Sequence, residues 1–396
     1  MTAASAHPRI RALSQPPIPL VQSWIGAYCG GLGPLLDLSQ AVPDFIPHPA
    51  LMQRLGQAAA DPQYFGYGPI AGESALREAY ACHVATRYGG ELSPEHTQMT
   101  SGCNQAFMAA MMALVGPGDK VLMCNPCYFN HQTSLAMLGV DVGYIRCSDT
   151  DSFLPTLASV EQAIDANTRI VLLTSPNNPT GAVYPPALLL EILQVCQSRG
   201  LWLVIDETYR DFLSEPEALP HGLFQQANWG ENFIQLYSFS KSFCIPGHRL
   251  GAVVASPSIV QEIGKVMDNL QICAPRAAQQ AVAASLDELS EWRESNRQEI
   301  QARAEALKSL MQQVPDWKLS ASGAYFAFVR HPFEADSVAV AKGLAEQCGV
   351  ICLPGEFFGE GNGQFLRFAF ANVDKEVLRD LPVRLKALEG IFPRCA

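Results

Sequence analysis

At 396 residues the chain exceeds what one compact core usually holds, so two domains are expected. Hydrophobic residues make up 48% of it and charged residues only 16%, which excludes a disordered chain. The net charge of −11, with no basic run, argues against broad nucleic-acid or anionic-membrane binding, so any positively charged site must be local and internal.

Residues 1–36 are rich in Pro and Gly (QPPIP, GGLGP) and read as an arm with one short helix around Val21 to Tyr28. The N-terminal stretch lacks an apolar core of signal-peptide length, and nowhere do about 20 apolar residues run uninterrupted. A soluble cytoplasmic protein is the expectation. From about residue 50 to 256, strand-like apolar runs alternate with helical stretches. The runs are VLMCNP (121–126), VGYIRC (142–147), RIVLLTSP (169–176), LWLVIDE (201–207), NFIQLYSF (232–239) and LGAVVAS (250–256). Such a pattern predicts an α/β fold with a mostly parallel sheet covered on both faces. After about residue 280 a long amphipathic helix (LDELSEWRESNRQEIQARAEALKSLMQQV) leads to shorter strands, YFAFVR, GVICLPG and FLRFAFA, which predict a smaller α+β domain. The expected division is an arm that belongs in part to the small domain (1–45), a large domain (46–280) and a small C-terminal domain (281–396).

The twelve cysteines, among them Cys82, Cys147, Cys196, Cys273 and Cys348, lie in apolar segments without framework spacing and read as free thiols. Cys124-Asn-Pro-Cys127 is a C-x-x-C, but no second pair or close histidines complete a zinc set, and packing explains it best. No metal site is expected.

Ligands of a parallel α/β sheet sit beyond the carboxyl ends of the strands. Three exits carry chemistry there: SPNNPTG after one strand, IDETYRDF after the next and SFSK after a third. A lysine so placed forms a Schiff base once its surroundings lower its pKa. Ser238 and Ser240 add hydroxyls and Arg249 a fork suited to phosphate. In TSGCNQAF the amides of Gly102, Cys103 and Asn104 open a helix, whose N-terminus attracts anionic oxygen. A carbonyl, a phosphate and a buried carboxylate together point to pyridoxal 5′-phosphate.

Six motifs, in order, strongly resemble the class I/II aminotransferases, fold type I of the pyridoxal-phosphate enzymes. They are Tyr67-Gly-Pro-Ile-Ala-Gly, Ser101-Gly, Asn177-Asn178-Pro-Thr-Gly, Asp206-Glu-Thr-Tyr209, Ser238-Phe-Ser-Lys241 and Gly247-His-Arg249. The resemblance implies a seven-stranded, mostly parallel sheet sandwiched by helices, beside the smaller domain. It implies that Lys241 holds the internal aldimine and then shuttles a proton, and that Asp206 pairs with the pyridine nitrogen. Asn178 and Tyr209 would bond the ring O3′, and Tyr128 would stack on the ring. Ser238, Ser240, Arg249 and the Gly102–Asn104 amides would hold the phosphate. Tyr67 would reach the partner subunit's phosphate in a homodimer, and Arg367 would grip the substrate α-carboxylate with Asn178 nearby.

The chain departs from the family pattern at Ala41 and Cys244, where smaller residues are commoner; Ala41 lies where the backbone approaches the substrate carboxylate. His131 and His248 read as structural, and Arg276 as a residue near the domain junction. The implied activity is ping-pong transfer of an amino group from an L-amino acid to a 2-oxo acid. A lyase, cyclase or synthase on the same fold is the alternative, because fold alone does not choose. A non-catalytic sensor domain of a regulator is the third reading, but the chain has neither a spare domain nor a basic patch.

Overall fold

The computed structural model describes residues 5–215 and 219–395, so the outermost ends of the expected arm and C-terminal domain lie outside it. The arm forms two short helices, Pro8–Arg11 and Pro17–Ser23, each with a proline in its first turn, where the missing N–H costs nothing. The helix expected around Val21 to Tyr28 is split. Its second half tightens into a 3-10 turn at Trp24–Ala27, and Tyr28 is extended. Strand β1 (Leu36–Asp37) then pairs in parallel with Val350–Ile351, tying the arm to the far end of the chain.

Seven strands build the main sheet: β2 (Thr97–Thr100), β3 (Lys120–Asn125), β4 (Asp141–Arg146), β5 (Thr168–Thr174), β6 (Trp202–Asp206), β7 (Phe233–Ser238) and β8 (Gly251–Val254). Their order is β2-β8-β7-β6-β5-β3-β4, and only β8 runs antiparallel to its neighbours. Residues alternate between faces along each strand. Leu122, Val171 and Leu203 pack towards the helices Ser74–Tyr88, Pro186–Arg199 and Arg276–Ser285. Val121, Leu172 and Val204 pack towards Cys103–Leu114 and Pro257–Leu270 on the other side. The expected α/β sandwich is present.

Strand β2 was not among the apolar runs, because TQMT has a single apolar residue. Thr97, Gln98 and Thr100 are nevertheless fully buried. Gln98 meets part of the cost by donating through Nε2 to the carbonyls of Ile70 (2.6 Å) and Met99 (2.9 Å), while its Oε1 has no partner among the described residues.

A second sheet follows the long helix Ser290–Met311. It contains β9 (Lys318–Gly323) and β10 (Phe326–Arg330); after β11 (Val350–Ile351), the partner of β1, come β12 (Leu353–Pro354) and β13 (Phe365–Phe368). The antiparallel order is β12-β13-β10-β9. Polar β9 (KLSASG) was also not anticipated. Ile300, Leu307, Trp317, Phe326, Val340 and Leu385 form this region's core. Tyr209 and Phe212, just beyond β6, pack into the same core and join it to the main sheet. Arg303 of the long helix donates to Asp44 (2.7 Å) and the Ala371 carbonyl (2.9 Å), fixing the segment after β1.

Candidate active site

The parallel strands β5, β6 and β7 are neighbours, so their carboxyl ends deliver Asn178, Asp206 and Lys241 to one place. β2 ends on the same edge and hands the chain to the helix Cys103–Leu114. Its N-cap Gly102 has φ +86°, and a Cβ there would lie 2.8 Å from the Arg249 guanidinium carbon. Only glycine permits that approach. The first-turn amides of Cys103 and Asn104 have no preceding carbonyl within the helix to bond. Arg249 donates to the carbonyls of Pro246 (2.8 Å) and Ser101 (3.3 Å), which aims it across this helix end. Ser238 caps the turn Phe239–Ser242 by accepting from the Ser240 amide (3.3 Å). One cavity of about 170 Å³ is lined by Ser238, Ser240, Lys241, Arg249, Asp206 and Asn104, among others, with Cys103, Tyr128, Asn178 and Tyr209 also in its wall.

Lys241 donates from Nζ to the Ala41 carbonyl, so the backbone at this departure from the family pattern faces the amine. Burial, then the guanidiniums of Arg367 and Arg249, push the lysine down to about 8. At pH 8 about half of it is neutral amine, roughly a hundredfold more than at its ordinary value.

Asp206 is buried, which works to raise its pKa. The bond from His131 outweighs that, with help from Thr208, and holds it below its ordinary 3.8. His131 Nε2 lies 3.1 Å from one carboxylate oxygen; the other accepts from the Thr208 hydroxyl (2.7 Å) and amide (3.0 Å). His131 is thus the residue that sequence reasoning set aside. It lies on the helix Phe129–Leu138, beside Tyr128, and only the placement of that helix across the sheet brings it to β6. Tyr128 accepts from the Asn130 amide (2.7 Å) and meets the His131 ring edge-on, with centroids 5.1 Å apart.

Arg367 on β13 is buried, and burial lowers it to about 10. It lies over the rings of Phe326 (4.9 Å) and Phe358 (5.2 Å). Nη1 donates to Asn178 (3.0 Å) and Nη2 to the Ser39 carbonyl, while Nε has no partner. Among the described residues no carboxylate pairs with it. A buried guanidinium held only by neutral acceptors retains the capacity to pair with an anion.

Tyr67 is not in this cavity. It is 79% exposed and lies in a separate cleft beside Tyr64, Cys273 and Arg276. Arg276 is engaged within the fold: Nε pairs with Glu73 (2.6 Å), and Nη1 donates to the carbonyls of Gln63 (2.8 Å) and Gly66 (3.1 Å), bracing the Tyr67 loop. His248 is exposed. Cys124 and Cys127 are free thiols that pack into different cores, one on each face of the sheet.

Among the described residues no three His, Cys, Asp or Glu side chains are placed to hold a metal ion, and no helix is long and apolar enough to cross a membrane.

A family model, aminotransferase class I and II, matches residues 33–385. The chain belongs to that family and is a transaminase by class, an enzyme that transfers nitrogenous groups. It is 27% identical over 359 residues to an aromatic aminotransferase, ISS1, of Arabidopsis thaliana, with 89% of each chain covered. It is 26% identical to the transaminase BacF of Bacillus subtilis over 90% of each. Its fold matches a double mutant of Thermus thermophilus aspartate aminotransferase with a TM-score of 0.89 and 26% identity, covering 98% of this chain and all of that one.

Proposed function

We propose that this enzyme binds pyridoxal 5′-phosphate in the Lys241 cavity and transfers the amino group of an L-amino acid to a 2-oxo acid by a ping-pong cycle. The observation that carries the reading is the donor set: a lowered-pKa amine, a buried charged carboxylate and a phosphate-type cradle in one cavity, with an unpaired arginine alongside. The cradle fits a phosphate in particular, since Ser238, Ser240, Arg249 and the amides of Gly102, Cys103 and Asn104 are all donors. Asp206 would hold the ring nitrogen, Asn178 and Tyr209 the ring hydroxyl oxygen, and Tyr128 the ring face.

Bound pyridoxal 5′-phosphate supplies an aldehyde for imine exchange and a ring that withdraws electrons from the substrate α-carbon. The chain's own residues do the remainder. Lys241 would offer the neutral amine and, as the free base, would take the substrate α-proton at Nζ. Asp206, held ionised and oriented by His131 and Thr208, would keep a bound ring nitrogen protonated. Arg367 binds the donor α-carboxylate, with Asn178 fixing one end of the guanidinium.

Replacing Arg367 by leucine is expected to lower kcat/KM for the donor about 10²- to 10⁴-fold, the worth of two charge-assisted bonds at about 1.5–3 kcal/mol each. Steady-state kinetics across donors checks this. Replacing Gly102 by alanine puts a methyl against Arg249 at a positive φ. It is expected to weaken cofactor retention by about tenfold or more, read by fluorescence titration with pyridoxal 5′-phosphate.

The arm, pinned through β1 and β11 and through Arg303 to Asp44, is proposed to move with residues 281–396 as one body against the large domain of 46–280. Phe65 and Tyr67, 71% and 79% exposed on a braced loop, suit an interface, and a homodimer in which Tyr67 completes the partner's site is proposed. Twelve free thiols suit a reducing compartment such as the cytoplasm.

A half-reaction tests the function. Loaded enzyme mixed with amino donors, without acceptor, is expected to release one equivalent of 2-oxo acid per site and stop. Continuous release of ammonia would instead mean elimination.

A further inference from the structure

We propose that Asp211 and Tyr237 are positioning residues for Lys241, acting through the hydroxyl of Ser242. The proposal rests on the role given to Lys241 above. Lys241 lies in a single helical turn, Phe239–Ser242, which is far too short to hold its own shape. Its geometry must come from tertiary anchors. Ser238 supplies one on the N-terminal side; on the C-terminal side the Ser242 hydroxyl lies 2.8 Å from the Tyr237 hydroxyl, which lies 2.5 Å from an Asp211 carboxylate oxygen.

The direction of these bonds follows from proton counting. A phenol has one proton, and an ionised carboxylate only accepts. Burial works against ionising Asp211, but the guanidiniums of Arg210 and Arg293, with His83 and the Tyr237 bond, hold it below its ordinary value. Tyr237 therefore donates to Asp211, and Ser242 must donate to Tyr237. The result is an oriented chain from the exit of β6 to the residue next to Lys241 on the exit of β7.

One cation covers the chain and a second covers the residue after it. Arg210 lies 4.0 Å over the Tyr237 ring, and Arg293, from the start of the helix Ser290–Met311, lies 5.1 Å over the Phe243 ring. Asp211 is two residues beyond Tyr209 and five beyond Asp206. The brace thus fixes the separation between the strand exit that carries the carboxylate and the one that carries the amine. None of its three members lines the cavity, so it bears on the reaction only by placing Lys241. A misplacement of about 1 Å at a reacting group costs up to about 100-fold in rate.

Tyr237→Phe keeps the ring under Arg210 and deletes one oxygen; Ser242→Ala cuts the same contact from the other side. Both, and the double variant, are loaded with pyridoxal 5′-phosphate. The readouts are kcat, KM for the amino donor, and the visible circular dichroism of the bound cofactor. Each single variant is expected to lose about tenfold in kcat with KM within about twofold, and to alter the dichroism band. The double variant should be no worse than either single, and Ser242→Thr should restore the band. Wild-type kcat and dichroism in both singles, with only the melting temperature lowered, would reduce the brace to a packing feature. Losses that multiply in the double variant would separate Tyr237 from Ser242 and overturn the chain. If Tyr237→Phe does not fold, Ser242→Ala alone decides the contact. Wild-type protein that takes up no cofactor would remove the role of Lys241 itself and the brace with it, a result distinct from failure of the variants.

Discussion

Lys241→Ala is expected to leave a folded protein whose turnover falls by at least about 10⁴-fold. On the proposed reading two functions would be lost together, the nucleophilic amine and the proton carrier, and the latter alone is worth about 10²- to 10⁴-fold. Folding should be nearly untouched. Burial already disfavours the ammonium, and its hydrogen bond goes to the single carbonyl of Ala41, so the variant sheds a desolvated charge along with that bond. A melting temperature within about 4 °C of wild type, measured beside the rate, separates loss of chemistry from loss of structure. Exogenous methylamine should recover part of the rate, since it restores a base without restoring the chain.

Asp206→Asn carries the second large effect. The isostere retains a bond from Thr208 but, in the proposed site, could not keep a bound ring nitrogen protonated, and kcat should fall on the order of 10³-fold. The stability consequence has a definite sign. Asp206 has a folded pKa below its ordinary 3.8, so its contribution is present above that value and is lost as the pH falls through the folded one. In the variant that acid-range loss should flatten, read from melting temperatures between about pH 5 and 3. His131, left beside an amide in place of a carboxylate, is expected to lower stability at neutral pH by about 1–3 kcal/mol.

Much of the site was legible because its residues stand at the ends of apolar runs. Where the strand WLVID ends on its carboxylate, and a lysine stands three residues beyond FIQLYS, the topology of a parallel sheet places both groups at the carboxyl edge. Gly102 was legible for a different reason, a glycine at the start of a helix. What stayed hidden depends on how elements are laid across one another. His131 follows Tyr128 by three positions on a helix, and nothing local says that it will reach Asp206. Strand β2 is polar in sequence and buried in fact, because Gln98 finds two carbonyls that periodicity does not reveal. The Tyr237–Ser242 contact spans five residues across a strand-to-helix turn, and its purpose emerges only with Asp211 beneath it. Arg276 could be placed from sequence only near the domain junction; that Glu73 and two carbonyls engage it there depends on how the Tyr67 loop folds over it.

The most direct measurement is peptide mapping after reduction. Protein supplied with pyridoxal 5′-phosphate is treated with borohydride, digested and weighed by mass spectrometry. The peptide containing Lys241 should carry the reduced cofactor, one per chain, and the Lys241→Ala variant should carry none. An unmodified Lys241 peptide, or a label distributed over surface lysines such as Lys265 and Lys342, would contradict the assignment of this amine as the group that bonds the coenzyme.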